Sequence, residues 1–115
     1  MKSRKGKGEG MKVIYKEPRT GKTTELIKMC ATCGGYIVCK DEIEAKRIAN
    51  QAKADNLKIP FPLTFYEFLN KSYHANGVKK VYIDNADMLI EYISRGIRVE
   101  AISLDDKSKW DKLNN

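Results

Sequence analysis

Apolar and polar positions along this 115-residue chain fall into short blocks whose period switches between strand-like and helix-like. Met11–Tyr15 (MKVIY) is a short β-prone run. Gly21–Ala31 then puts Leu26, Ile27 and Cys30 on one helical face, and Cys33-Gly34-Gly35 ends that block. Tyr36–Cys39 (YIVC) is apolar throughout, as a strand buried on both faces would be. Asp41 followed by Glu44 is a capping-box signature, predicting a helix to about Ala54 with Ile43, Ile48, Ala49 and Ala52 as its core stripe.

The second half continues the alternation. Two prolines hold Ile59–Leu63 (IPFPL) extended. Thr64 with Glu67 forms a second capping box, opening a short helix with Phe65, Phe68 and Leu69 facing inward. Lys80–Asp84 (KVYID) predicts a third clear strand. Ala86–Arg95 predicts a helix with Leu89, Ile90 and Ile93 as its apolar side and Gly96 as its stop, and Arg98–Leu104 (RVEAISL) a final strand. Strands alternating with helices at this spacing predict an α/β fold, a three-layer sandwich around a mainly parallel sheet of four to five strands. Ligands of such sheets bind at the carboxyl ends of the strands, here just after Tyr15, Cys39, Asp84 and Leu104.

Composition narrows the picture modestly. The chain has room for one domain, read as residues 11–105, with a basic leader at 1–10 and a polar tail at 106–115 in which Trp110 docks back. Hydrophobic residues at 42% and charged residues at 32% exclude a mostly disordered chain. No apolar run reaches the ~20 residues of a membrane span, and no secretory signal is visible, so a cytoplasmic, membrane-free protein is expected. The net charge is +7, of which the leader supplies +3. That balance suits a nucleic-acid partner and equally a solubilising surface. Cys30, Cys33 and Cys39, with His74 as the one histidine, have part of a zinc spacing. Cys30 lies on a helix stripe and Cys39 ends a buried strand, which favours reduced core thiols. Phe61, Phe65, Tyr66 and Phe68 could stack on bases or pack a core around the proline bend.

The chemistry concentrates after the first strand, in Lys16–Thr24 (KEPRTGKTT). Gly21-Lys22-Thr23 matches the second half of a phosphate-binding loop, G-x-x-x-x-G-K-[ST], with Lys16 where the first glycine belongs. Successive backbone N–H groups at a helix start make a nest for phosphate oxygens. Pro18, Arg19, Thr20, Gly21, Lys22, Thr23 and Thr24 are the predicted nucleotide-binding residues. Lys22 would reach the β- and γ-phosphates, and Thr23 would bind Mg²⁺ through its hydroxyl. The alternative is an ordinary helix start. A companion lies about sixty residues on: Val81-Tyr82-Ile83-Asp84, an apolar strand ending in a carboxylate that would hold the same Mg²⁺. Seen alone, Asp84 would equally cap the next helix.

These two half-motifs resemble Walker A and Walker B of the P-loop NTPases, in their helicase-like branch and in a minimal single-lobe form such as small phage-encoded ATP-binding proteins. The resemblance spans Met11 to about Asp105 and includes Pro62–Leu69 (PLTFYEFL), similar to a helicase segment that ends in Thr-Phe before a short helix. It implies ATP and Mg²⁺ as ligands, Lys22 and Asp84 as catalytic residues, and slow ATP hydrolysis linked to phage DNA metabolism in the host cytoplasm. The family usually has a glutamate after the Walker B aspartate. Asn85 stands there and cannot accept a proton, and Asp87 is the substitute within reach along the sequence. Ser103 falls where relatives sense the γ-phosphate. No arginine can be assigned as a transition-state finger; Arg19, Arg95 and Arg98 are candidates, so a second copy or a protein partner would be needed. Two other functions stay open. One is a non-hydrolysing or degenerate regulator acting through a protein partner. The other is a thymidine kinase-like phosphotransferase, although no cysteine follows Cys39 to build that family's zinc-bound lasso.

Overall fold

Gly21 opens α1 (Lys22–Cys33) in a left-handed conformation, φ 94°, with no side-chain cap. The computed structural model of this protein describes residues 11–14, 21–70 and 77–104. The chain divides into two units, one spanning Lys16–Val99 and one formed by Met1–Tyr15 with Glu100–Asn115. All helices and strands named below belong to the first. The predicted stripe of α1 is correct: Leu26, Ile27 and Cys30 are buried. The helix runs two residues past Ala31, and the Gly34 N–H closes it by donating to the Cys30 carbonyl at 2.8 Å.

Three strands form a parallel sheet in the order β2-β1-β3: β1 (Tyr36–Cys39), β2 (Leu63–Thr64) and β3 (Val81–Ile83). β1 is central, which explains its apolar run. Val38 sits opposite Leu63 on one side and Ile83 on the other. Side chains alternate across the sheet. On one face Val38, Leu63, Phe65 and Leu89 form a buried cluster, with Val81 and Ile83 packed against it. This face is covered by α3 (Phe65–Leu69) and α4 (Ala86–Ser94). Ile37 and Cys39, both buried, point the other way, where α1 and α2 (Glu42–Ala54) pack. The α/β architecture with helices on both faces is therefore as expected. β3 repeats the alternation, since Lys80, Tyr82 and Asp84 all reach toward α1. Lys80 Nζ donates to the Cys33 carbonyl (3.1 Å) and the Tyr82 hydroxyl to the Gly34 carbonyl (2.8 Å), capping orphan carbonyls at the end of α1.

That lashing brings backbones close at Gly35 (φ 104°). A Cβ there would lie 2.8 Å from the Lys80 carbonyl oxygen and 3.0 Å from the Tyr82 ring. Gly35→Ala is expected to destabilise the fold by about 1–3 kcal/mol, since a strained φ and a backbone clash coincide. Chemical denaturation checks this, and an unchanged midpoint would contradict the close approach.

Both capping predictions locate real helix starts. Asp41 accepts from the Glu44 N–H at 2.9 Å, although the Glu44 side chain turns to Arg47 rather than completing the box. At α3 the box is complete: Thr64 Oγ1 accepts from the Glu67 N–H (3.1 Å), and the Thr64 N–H donates to Glu67 Oε1 (2.9 Å).

Three inward assignments are corrected. Ile43 is 77% exposed, because the buried stripe of α2 is Ala45, Ile48 and Ala52, at i, i+3 and i+7, and Ile43 falls well off it. Leu69 is exposed at the end of a helix barely longer than one turn. Ile93 is exposed too; Tyr92, on the other side of Leu89 and itself 44% exposed, meets the Phe65 ring edge-on with centroids 5.8 Å apart. The expected first and last strands are also not observed: residues 11–14 and 98–104 carry no strand. Their β-prone side chains, Met11, Val13, Ile102 and Leu104, are exposed, and a strand needs a hydrogen-bonded neighbour as well as propensity. The leader, Lys16–Thr20, His74 and Trp110 lie outside the described residues.

Candidate functional site

The register of β1 against β3 builds one side of the site. The Asp84 N–H donates to the Val38 carbonyl at 2.9 Å, which seats Asp84 at the carboxyl edge of the sheet beside the end of β1. Its side chain is only 3% exposed. The first turn of α1 builds the other side. Thr23 Oγ1 lies 3.3 and 3.4 Å from the two Asp84 carboxylate oxygens, donating its hydroxyl hydrogen between them. Lys22 Nζ donates to Asn85 Oδ1 at 3.2 Å. One residue further, Thr24 Oγ1 accepts from Gln51 Nε2 of α2 at 2.6 Å. Asn85 enters α4 in a left-handed conformation (φ 59°), which asparagine tolerates better than most residues, and this leaves its side chain for Lys22 rather than for capping α4.

Charge in this corner is not neutralised by contact alone. Burial pushes the Asp84 carboxyl above its ordinary range. The Thr23 hydrogen bond and the positive charges of Arg47 and Lys22 pull it partly back, and Glu44 adds repulsion. The neighbouring Cys39 thiol is pushed up to about 12, first by burial and then by the charges of Asp84 and Glu44. It is a protonated core thiol, as Cys30 is by position. Cys33, by contrast, is exposed.

A buried carboxylate whose hydrogen-bond partner is a neutral hydroxyl at 3.3–3.4 Å is a poor resting arrangement for a charge and a good one for a cation. Among the described residues no three His, Cys, Asp or Glu side chains gather as a metal cage. Magnesium does not need one; it keeps several waters and takes one or two protein oxygens. Thr23 Oγ1 and Asp84 fit that requirement.

The structure thus brings together Gly21, Lys22, Thr23, Thr24 and Asp84 from the predicted set. Pro18, Arg19 and Thr20 lie outside the described residues. Asp87 is exposed in the first turn of α4, where a negative charge suits the helix start. Arg95 ends α4 in a left-handed conformation and is exposed, as are Arg98 and Ser103. The aromatic set divides: Phe65 is buried and Phe68 packs on the core, whereas Phe61 and Tyr66 are exposed. Glu44, Arg47 and Gln51 were not legible as site residues, since a polar helix stripe ordinarily faces solvent. Their spacing beside the buried stripe of α2 was the available signal. Comparison with protein-family models, curated proteins and solved structures finds no match.

Proposed function

We propose that this chain binds a nucleoside triphosphate, ATP, with Mg²⁺, through the backbone of Gly21–Thr24, Lys22, Thr23 and Asp84. The observation that carries this reading is the meeting of the Thr23 hydroxyl with the buried Asp84 carboxylate across 61 positions of sequence. A helix-start hydroxyl beside a strand-end carboxylate is the pair of protein oxygens that a magnesium ion keeping its other waters would take. The finer fold that goes with this reading is that of a P-loop NTPase.

In this reading the N–H groups at the start of α1 receive phosphate oxygens, and Lys22 moves from Asn85 onto the phosphate chain. Magnesium would supply neutralisation of phosphate charge there. Asp84 and the Thr23 hydroxyl orient it. Asn85 offers no base at the position that activates water, so turnover is slow, with Asp87 the next carboxylate along the chain. A basic chain suits action on nucleic acid in a cytoplasm, which DNA-stimulated phosphate release would test. The Lys22–Asn85 hydrogen bond favours a second reading, a nucleotide-binding regulator that does not hydrolyse.

Thermal unfolding tests the binding itself. At a hundredfold excess over Kd, Mg-ATP should stabilise the protein by about 2.7 kcal/mol, a shift on the order of 10 °C at this chain length. Lys22→Ala should remove most of that shift. No shift of the wild-type protein at millimolar Mg-ATP would refute the proposal.

A further inference from the structure

Glu44, Arg47 and Gln51 recur at i, i+3 and i+7 along α2 and therefore share one stripe, immediately beside the buried stripe of Ala45, Ile48 and Ala52. Two observations fix where this stripe faces. At one end Gln51 Nε2 rests on Thr24 Oγ1, 2.6 Å away, in the first turn of α1. At the other, Asp41 caps α2 two residues beyond Cys39, the end of the strand whose Val38 carbonyl holds the Asp84 N–H. Arg47 stands one helical turn before Gln51 on that stripe. It is thus carried from Thr24 toward the strand ends, along the rim of the corner that Thr23 and Asp84 form.

Arg47 is held there without being used up. Its Nε and Nη2 both donate to one oxygen, Glu44 Oε1, at 3.0 and 2.6 Å. Its side chain is still 51% exposed, so the fork of remaining N–H groups is open to an incoming anion. Its charge also reaches Asp84, pulling that buried carboxyl back toward its ordinary range. The other described arginines are placed differently, Arg95 at the far end of α4 from Asn85 and Arg98 beyond it.

We propose that Arg47 is the arginine of this site that reads the terminal phosphate, supplied in cis by α2 and exchanged from Glu44 to the γ-phosphate when a triphosphate binds. This rests on the nucleotide-binding reading above and adds to it a residue and a specificity: triphosphate over diphosphate. The exchange breaks two N–H···O bonds to a carboxylate and forms two to a phosphate, which carries more charge and matches the planar fork equally well. Lys22 and the helix start grip any nucleotide with a β-phosphate, whereas Arg47 sits on the rim and serves the outermost group alone.

Calorimetric titration of the full chain with Mg-ATP and Mg-ADP tests this on wild type, Arg47→Ala and Glu44→Gln, each first shown by thermal unfolding to be folded. Arg47→Ala is expected to weaken ATP binding about tenfold while ADP affinity stays within about twofold, because the lost contact touches the γ-phosphate only. Glu44→Gln is expected to tighten ATP binding a few-fold, since the competing carboxylate charge is gone. Equal losses for ATP and ADP in Arg47→Ala would mark a structural role and overturn the proposal. So would an unchanged ATP affinity in that variant, or a Glu44→Gln protein that binds ATP no better than wild type. Wild-type protein that binds neither nucleotide would overturn the nucleotide reading and this inference with it; wild-type binding with an unaffected Arg47→Ala variant overturns only the inference.

Discussion

Replacing Asp84 by asparagine should abolish the magnesium dependence of nucleotide binding and, at the same time, raise the melting temperature of the nucleotide-free protein at neutral pH. The two effects have one cause. Asp84 is almost completely buried against the end of β1, with a neutral hydroxyl at 3.3–3.4 Å as its hydrogen-bond partner. Burial raises its carboxyl above the unfolded range more than Thr23, Arg47 and Lys22 together lower it. The folded protein therefore binds this proton more tightly than the unfolded chain does. Stability from this group is fully present below the ordinary carboxylate pKa and is lost as pH rises through the raised folded value. At neutral pH the ionised form is a net cost. Asparagine keeps the shape and can still accept from Thr23, but carries no charge. The pH profile of unfolding should then lose its decline across that acidic window, and Mg-ATP should bind at least about tenfold more weakly in the variant. A variant that melts lower than wild type at neutral pH, or that keeps full magnesium-dependent affinity, would contradict the assignment of Asp84 as a site maintained at the expense of stability.

Phe65→Ala should be the most damaging single core change, destabilising the fold by about 3–5 kcal/mol. Phe65 is 1% exposed and closes the buried cluster of Val38, Leu63 and Leu89, with the Tyr92 ring against its edge. It also directly follows Thr64, so the box that starts α3 delivers this ring into the core. Against a total stability of about 5–15 kcal/mol for domains of ordinary size, such a loss leaves little folded protein at physiological temperature. Leu69→Ala, in the same helix and of similar chemistry, should cost roughly 0.5 kcal/mol, because Leu69 is 40% exposed. Urea denaturation of the two variants, read from their midpoints at unchanged slope, separates them. Comparable losses in both would mean that the core is not centred on this cluster.

The candidate site was legible in pieces. Gly21-Lys22-Thr23 stood out because glycine before a helix start and a lysine-threonine pair are local features with a known use. Asp84 stood out because a carboxylate ends an apolar strand. Asn85 was legible as a missing base; that it would instead accept a hydrogen bond from Lys22 was not, since this depends on the left-handed turn into α4. Arg47 was invisible. In sequence it is one of many cations on a polar helical face, and only the packing of α2 on α1, marked by Gln51 on Thr24, turns that face toward the corner.

The chain by itself determined where the helices and the central strand begin, because those signals act over three or four residues: Thr64 with Glu67, Asp41 with Glu44, the glycines at 21 and 34, the apolar run of β1. It did not decide the strands expected at Met11–Tyr15 and Arg98–Leu104, where propensity had no hydrogen-bonded neighbour to act on. It also determined which faces of α1 were apolar, since period alone decides that. Tertiary structure decided the rest. Which of two neighbouring apolar side chains reaches the core, Ala45 rather than Ile43, or Tyr92 touching Phe65 with its ring while Ile93 stays out, depends on the rotation of each helix against a surface built by other segments. The meeting of Thr23 with Asp84 depends on the order β2-β1-β3 and on a register that sets Val38 beside Ile83. Local sequence cannot encode that meeting, because parallel strands are joined through distant crossovers and their pairing is chosen by the burial of the whole sheet.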